Sequence, residues 1–409
     1  MSGVDRYQDA YRAFTRNGGA AAAPWLAELR EQALARFSEV GFPTTRQEEW
    51  RFTSVQPIAE GAFTLSKLEW EASPAPRGVT VTTLARAMKE WPDLVRTHLA
   101  RHARVDANPF TALGTAFLSD GLFIHVPAGV VADQPIRVDY HLAAAAGRAV
   151  AHPRGLIVLG DNAQADLIES YRGAGEGDYF VNAISEVVLG DGARLDHVRI
   201  QRESAGAYHV ATVQSSQGKD STLRSTTVTL GAALARYDLN ATIDGTGAQL
   251  NLNGLTLAAG RQHVDCHTTI DHARPHGESH ELFNGIFDEG ARGVFNGRII
   301  VRPGAQRTDS KQTNNNLLLS RDARADSQPQ LEIYADDVKC THGATLGPLD
   351  PNALFYLRSR GLSADAARDI LTYGFGAEIV ERIASADVRA EVDRLVRERL
   401  SAGAARRAA

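Results

Sequence analysis

Hydrophobic positions in the first third of the chain recur at the spacing of an amphipathic helix. Trp25, Leu29 and Phe37 follow Pro24 on one helical face, and proline is well suited to a first helical turn. A face of this kind can be buried against a neighbouring element. Similar helical patterns return farther along, and together they predict a mostly helical N-terminal region over residues 1–120.

The pattern changes at Gly121, where hydrophobic residues begin to alternate with a period of two. Short strand-like segments, each closed by Gly, Asp or Asn, continue from there to about residue 346. The segment 156–163 is echoed about thirty residues later at 186–193, a repeat length that is typical of a solenoid. We therefore predict a mainly β protein in which residues 121–346 form a central right-handed β-helix. A β-sandwich is the alternative.

Helical periodicity returns after Gly347. Ser363, with Asp365 in the first turn, predicts the start of one helix, and a further amphipathic segment follows from Asp387. Residues 347–409 are therefore expected to form a C-terminal helical domain. Helices appended to a solenoid either cap its end or dock a partner, and both interpretations stay open at this point.

Composition excludes several classes of function. The hydrophobic content of 43% and charged content of 23% are those of a soluble globular protein. A formal net charge of -5 argues against binding to nucleic acid, which normally requires a basic surface. No uninterrupted apolar run is long enough to span a bilayer, so we expect no membrane segment.

Two cysteines, Cys266 and Cys340, are too few for disulfides to hold together a chain of 409 residues. A reducing compartment is the simplest fit. The N-terminus shows no basic cap followed by an apolar core, so a secretory signal is not expected. These observations together predict a cytoplasmic protein.

The most prominent candidate metal ligands near the end of the β region are Cys340 and His342. If the strand pattern that begins at Leu331 persists, the period of two places both side chains on one face. A thiol and an imidazole side by side are half of a ligand set for a soft metal or an iron-sulfur cluster. Half sets are usually completed by another chain or by mobile groups. A buried thiol and an ordinarily hydrogen-bonded imidazole are the competing interpretation.

A second concentration of possible ligands lies between residues 263 and 280. Its members are His263, Cys266, His267, His272, His276 and His280. Their spacing matches no zinc-finger or zincin pattern, and strand alternation would scatter them over two faces. Hydrogen bonding at strand edges and turns is the favoured interpretation, with a metal site as the alternative.

Motifs for nucleotide binding and for covalent catalysis are not evident. The segment 218–221, Gly-Lys-Asp-Ser, lacks the leading glycine and the hydroxyl residue directly after lysine that a phosphate loop requires. We therefore expect no nucleotide to be bound by this chain. Asp336 and Asp337 are a carboxylate pair of the kind used in glycoside hydrolysis, but neighbours in a strand point to opposite faces.

Amide side chains are concentrated between residues 312 and 316. They belong to Gln312, Asn314, Asn315 and Asn316. Amides on stacked coils can hydrogen-bond to one another as a ladder, so a structural role is expected for them.

Several segments resemble one known family. Residues 331–347, together with 355–361, resemble the C-terminal signature of the SufB/SufD family of the SUF iron-sulfur cluster assembly system. Residues 295–320 are similar to the core that this family shares, and residues 43–53 resemble its N-terminal motif. The segment 339–345, Lys-Cys-Thr-His-Gly-Ala-Thr, resembles the SufD branch, because SufB-type proteins carry a Glu-His-Glu-Ala-Thr type motif there.

The resemblance implies a non-catalytic scaffold or accessory subunit that helps to build or load nascent clusters and supports iron acquisition. It implies pairing through the β-helix with a SufB-like subunit and binding of a SufC-like ATPase through the C-terminal helices. His342 matches the SufD histidine at the subunit interface, where iron or a nascent cluster is held transiently, and Cys340 is the weaker candidate. A homodimer is possible for the isolated chain.

Two other functions stay open on the residues alone. A β-helical carbohydrate-active enzyme would need clustered carboxylates beside an aromatic-lined groove. A SufB-like homodimeric scaffold that binds metal would use the residues between His263 and His280.

Overall fold

The computed structural model describes residues 3–16, 23–142, 148–173 and 177–408. In these ranges the helices are α1 (Gly3–Phe14), α2 (Pro24–Val40), α3 (Gln56–Glu60), α4 (Leu84–Glu90), α5 (Pro92–His98), α6 (Pro109–Ala116), α7 (Pro351–Ser359), α8 (Ala364–Val380) and α9 (Ala386–Ala408). A 3₁₀ turn spans Glu48–Trp50. Helices therefore lie at both ends of the chain and flank a central run of strands.

The strands are β1 (Thr64–Leu65), β2 (Leu68–Ala72), β3 (Thr80–Thr83), β4 (Gly121–Val126), β5 (Ile136–Leu142), β6 (Ala149–Ala151), β7 (Arg154–Leu159), β8 (Gln164–Gly173), β9 (Tyr179–Leu189), β10 (Arg194–Arg202), β11 (Tyr208–Gln217), β12 (Thr222–Thr229), β13 (Leu234–Ile243), β14 (Gln249–Ala258), β15 (His263–His272), β16 (Glu278–Phe287), β17 (Arg292–Val301), β18 (Asp309–Leu318), β19 (Arg324–Ile333) and β20 (Lys339–Gly347). From β7 onward, consecutive strands alternate between two sheets. Odd-numbered strands build one sheet and even-numbered strands build the other.

Neighbouring strands within each sheet run parallel over this whole region. Leu195 of β10, for example, lies in register with Leu223 of β12, one turn of chain farther on. Strands that alternate between two sheets while every sheet neighbour is parallel form a β-solenoid, whereas a sandwich would pair its strands antiparallel. The predicted mainly β fold, a β-helix flanked by helical regions, is confirmed.

The N-terminal region is less helical than its sequence pattern predicts. Strand β3 pairs antiparallel with β4, and β2 pairs antiparallel with β5, so each sheet begins with a short strand from this region. The sequence of β3, Thr-Val-Thr-Thr, consists entirely of β-branched residues, which favour a strand. These strands attach the N-terminal region to the first turns of the solenoid.

Helices α8 and α9 pack along the outward face of the even-numbered sheet. Ile379, Val380 and Val388 are buried in one cluster with Val228 and Ile286 of that sheet. The helices therefore lie along the side of the solenoid and leave its last strand, β20, uncovered. Helix α7 carries no buried residue, and its Phe355 is 74% exposed.

Candidate metal site at the last turn of the solenoid

Strands β19 and β20 are the last strands of their sheets. Each has one sheet neighbour in the part of the chain that the structure describes, β17 for β19 and β18 for β20. The side chains of β20 are accordingly exposed or half-buried, and Leu346 is 57% exposed. The solenoid thus ends in two open edges, and an open edge presents unpaired backbone groups to a potential partner.

Cys340 and His342 project to the interior side of β20. They lie in register with Ser310 and Gln312 of β18, both of which are fully buried. Residues in register on neighbouring strands share a face of the sheet, so the thiol and the imidazole extend two interior columns of the solenoid. The structure therefore places both residues on one face, at the point where the interior opens to solvent.

The backbone of this strand also faces the opening. Lys339 N donates to the carbonyl oxygen of Thr308, directly before β18, at 2.8 Å. Lys339 therefore directs its backbone groups to β18. Backbone groups of successive residues in a parallel strand point alternately to the two sides. The residues that direct their amide and carbonyl groups to the open edge are therefore Cys340, His342, Ala344 and Leu346.

Partial burial raises the pKa of the Cys340 thiol, and the nearby Asp309 carboxylate raises it further. The free thiol is therefore protonated at neutral pH. Because metal binding requires the thiolate, a metal at this position must displace the proton. This electrostatic setting makes Cys340 a weaker ligand than an activated cysteine and leaves the exposed His342 as the more accessible group.

A buried polar column continues inward from His342. Gln312 lies next to it in register, and Glu281 of β16 lies next to Gln312. The Gln312 amide donates from Nε2 to Glu281 Oε2 at 2.6 Å. Burial raises the pKa of Glu281 to about 7, although the Gln312 hydrogen bond partly opposes this shift. A carboxyl group that titrates near neutrality thus lies two strands below the open edge.

A second ladder of polar side chains crosses the outward face of the same three strands. Asn315 Nδ2 donates to Asn284 Oδ1 at 3.2 Å, and Thr345 Oγ1 of β20 donates to Asn315 Oδ1 at 2.7 Å. Asn284 Nδ2 in turn donates to Glu378 Oε2 of α8 at 3.0 Å. An amide ladder is therefore present in this region, and it links the last strand to a C-terminal helix.

The residues between 263 and 280 are dispersed. His263 and His267 project outward from β15, whereas Cys266 and His272 project inward. The remaining two are separated from them, since His276 lies in the turn after β15 and His280 is exposed on the other sheet.

Hydrogen bonding and ion pairing account for the better-buried members of this group. His272 Nε2 lies 2.8 Å from Ser279 Oγ, and His267 Nε2 lies 3.0 Å from Asp265 Oδ1. Within the described ranges, no three His, Cys, Asp or Glu side chains are grouped so as to hold a metal ion. The favoured interpretation of this segment therefore agrees with its geometry.

His263 belongs to a clasp, by which we mean Thr53, Arg236, His263 and Asp265. Thr53 Oγ1 donates to Asp265 Oδ2 at 2.6 Å and lies 2.8 Å from His263 Nε2. Since the hydroxyl carries one proton, His263 Nε2 donates to it. The clasp therefore fastens the N-terminal region to the outward face of β13 and β15.

Arg236 is the charged centre of the clasp. It is buried, contacts Asp238 and Asp265 at 2.8 and 2.7 Å, and lies 3.8 Å from the centroid of the Trp50 ring. Burial would raise the pKa of Asp265, but Arg236 and His267 hold it well below its usual range. Thr53 and Trp50 lie in the segment 43–53, so the family-like N-terminal motif has a structural role in this clasp.

Sequence reasoning missed two of these residues. Glu281 gave no signal beyond its place in the strand alternation, and Thr53 was part of a motif to which no contact could be assigned. Their partners lie one strand away for Glu281 and 212 residues away for Thr53. Neither contact can be seen without the register of the solenoid.

The sequence matches one family over most of its length. A family model described as "SUF system FeS cluster assembly, SufBD core domain" matches residues 141–375, and one described as "SufBD protein N-terminal region" matches residues 1–74 and 66–138. The chain belongs to the SufBD family. Its match to this family confirms the resemblance found in the C-terminal and core segments.

Individual relatives agree with this assignment. An iron-sulfur cluster assembly SufBD family protein of Synechocystis is 33% identical over 91% of this chain and 90% of its own length. The iron-sulfur cluster assembly protein SufD of Escherichia coli is 29% identical over 91% of this chain and 93% of its own length. SufD of Bacillus subtilis is 27% identical over 88% of this chain and 90% of its own length. Family membership supports a role in iron-sulfur cluster assembly.

Membrane insertion through a helix has no support in the described part of the chain. None of its helices combines the length and the apolar character that crossing a bilayer requires.

Proposed function

We propose that this SufBD-family chain is a non-catalytic scaffold subunit of a cytoplasmic iron-sulfur cluster assembly complex. In this proposal, its open solenoid end pairs with a SufB-like subunit, and iron or a nascent cluster is held at that seam as cargo. A SufC-like ATPase binds the C-terminal helices and hydrolyses the ATP. The complex would also support iron acquisition.

The observation that carries the proposal is the open edge of β20 with Cys340 and His342 beside it. Iron-sulfur clusters are usually held by four ligands, and the described residues offer two candidates at this end. A second subunit that adds a strand to β20 would bring further ligands to the same face and exclude bulk water. The site is therefore best completed in trans.

The two open edges differ in their suitability for strand addition. Strand β19 contains Pro329, which lacks a backbone amide, whereas β20 contains no proline over its nine residues. Exposed Leu346 lies on β20, and exposed Tyr334 lies just beyond β19. These features favour β20 as the edge that pairs with a second subunit. The exposed side chains of Leu346 and Tyr334 would be buried by that subunit.

The C-terminal helices supply a surface for a different partner. Phe355 and Tyr356 of α7 are 74% and 57% exposed, although aromatic side chains of this size are usually buried. Helix α8 is tied to the solenoid by Asn284, and α7 precedes it along the chain. A subunit bound to these helices would be mechanically connected to β20 through the Asn284–Asn315–Thr345 ladder.

The pairing can be tested with two substitutions at one position. The amide of Ala344 points to the open edge, so Ala344→Pro removes a partner-facing donor and leaves the bonds to β18 in place. Ala344→Val keeps the amide and is the matched control. When the tagged chain is co-expressed with SufB-like and SufC-like subunits, we expect Ala344→Pro to weaken retention of the SufB-like subunit by about fivefold or more.

The ATPase should be retained equally by the two variants, because its proposed binding surface lies on the helices. Retention of the SufB-like subunit that is identical for Ala344→Pro and Ala344→Val would contradict pairing through β20. Failure of the unmodified chain to retain either subunit would contradict the scaffold role itself.

A further inference from the structure

Two buried side-chain oxygens of the interior column Glu281–Gln312–His342 lack a hydrogen-bond partner among the described residues: Glu281 Oε1 and, one strand from the open edge, Gln312 Oε1. Gln312 is 1% exposed, and its Oε1 is buried without a hydrogen-bond partner among the described residues. Its Nε2 is already engaged, because it donates to Glu281 Oε2. A buried carbonyl oxygen that lacks a partner is costly, so native structures rarely retain one without a reason.

The orientation of this amide is fixed from two sides. The Glu281 carboxyl accepts the Gln312 NH₂ group through Oε2, and this contact leaves the amide oxygen free. Across the interior, a Cβ at Gly297 would clash with the Gln312 amide, so the glycine provides the space that the side chain occupies. Gln312 therefore presents its oxygen from a constrained position.

His342 is the residue next in register on the open side of Gln312. Neighbouring strands lie about 4.8 Å apart, which a glutamine side chain and an imidazole can bridge by small rotations. A histidine that binds a metal through one ring nitrogen commonly donates its other N–H to a carbonyl or carboxylate. The free oxygen of Gln312 has the chemistry and the place for this role.

We propose that Gln312 is a positioning residue for His342, whose imidazole N–H it accepts through Oε1. The hydrogen bond selects one imidazole tautomer and leaves the other nitrogen free toward the open edge. Glu281 contributes by holding the Gln312 amide in this orientation. The inference rests on the proposed function of His342, since a fixed tautomer is useful where that nitrogen binds metal.

The test uses the full-length chain labelled with ¹⁵N-histidine, and nuclear magnetic resonance reads the tautomer of His342 directly. Gln312→Met removes the acceptor with little change in side-chain volume, so we expect the tautomer ratio of His342 to change by about fivefold. Gln312→Glu keeps an acceptor and should restore the original tautomer. Thr313→Val changes the adjacent, outward-facing residue of β18 and should leave His342 unaffected.

An unchanged His342 spectrum in a folded Gln312→Met variant would overturn the inference. Equal shifts in Gln312→Met and Thr313→Val would also overturn it, because they would indicate a general disturbance of β18. The proposed function of His342 and the positioning role of Gln312 can be refuted independently. Full cluster yield in a His342→Ala complex would refute the function of His342, whereas the tautomer measurement requires no cluster.

Discussion

The two ends of the solenoid are built differently. At the N-terminal end, the sheets finish with the antiparallel strands β2 and β3, of five and four residues, and helix α4 packs against β3. At the C-terminal end, the sheets finish with β19 and β20, which are ten and nine residues long and parallel to their single neighbours. Short edges resist association, and long open edges invite it. The C-terminal end is therefore the end suited to a partner.

The clasp and the open end differ in how their polar groups are paired. In the clasp, Arg236 and Asp265 are buried and paired within the chain. At the open end, Gln312 Oε1 has no partner among the described residues, and His342 is exposed. The histidine of the clasp thus helps to hold the fold, whereas the histidine at the open end has its chemistry available to a second molecule.

The largest expected effect on stability is at the clasp. Arg236→Met leaves Asp238 and Asp265 buried without their cation, so we expect the free energy of unfolding to fall by about 3–5 kcal/mol. Urea denaturation at neutral pH measures it. Arg274→Met is the matched control, because its ion pair with Asp244 is exposed, and it should change stability by less than about 0.5 kcal/mol. Equal losses of unfolding free energy in Arg236→Met and Arg274→Met would show that the clasp stabilises the fold no more than an exposed ion pair does.

A pH-dependent effect is expected at Glu281. Its folded pKa of about 7 exceeds the ordinary value of 4.5, so the folded state holds the proton more tightly. Stability therefore falls as pH rises from 4.5 to 7, by about 3 kcal/mol from this group, and stays level above that range. Glu281→Gln should remove this dependence. A difference in stability between the two proteins that does not vary between about pH 4.5 and 8 would contradict the assignment.

A smaller effect is expected at the contact between the clasp and the N-terminal region. Thr53→Val removes the hydroxyl that donates to Asp265 and accepts from His263, at an expected cost of about 1–3 kcal/mol. Amide hydrogen exchange should quicken around residues 48–60 and remain unchanged in β18. Thr45→Val makes the same change at an exposed threonine of the N-terminal motif and serves as the control. Uniform loss of protection along the chain would contradict a local role.

Much of this architecture follows from local pattern. The alternation after Gly121 and the echo between 156–163 and 186–193 predict the solenoid, because interior and exterior faces repeat at each turn. The same period of two places Cys340 and His342 on one face. These features depend on neighbouring residues, so they can be read without a structure.

Other features depend on contacts between distant residues. The strand Thr80–Thr83 forms because β4 offers it an edge, and the Thr53–Asp265 contact spans 212 residues. The raised pKa of Glu281 results from burial inside the solenoid, which a strand pattern does not quantify. The sequence therefore indicates the candidate site, whereas the residues that support it can be identified only once the register of the strands is known.

The central claim is that His342 acts at an interface with a second subunit. The most direct measurement is the iron and sulfide content of the reconstituted complex with His342→Ala, compared with His280→Ala, an exposed histidine on the outward face of β16, two strands from β20. We expect His342→Ala to assemble with its partners but to lose cluster content by about tenfold or more, and His280→Ala to match the unmodified chain. Equal iron and sulfide in the intact complexes of both variants would contradict the claim.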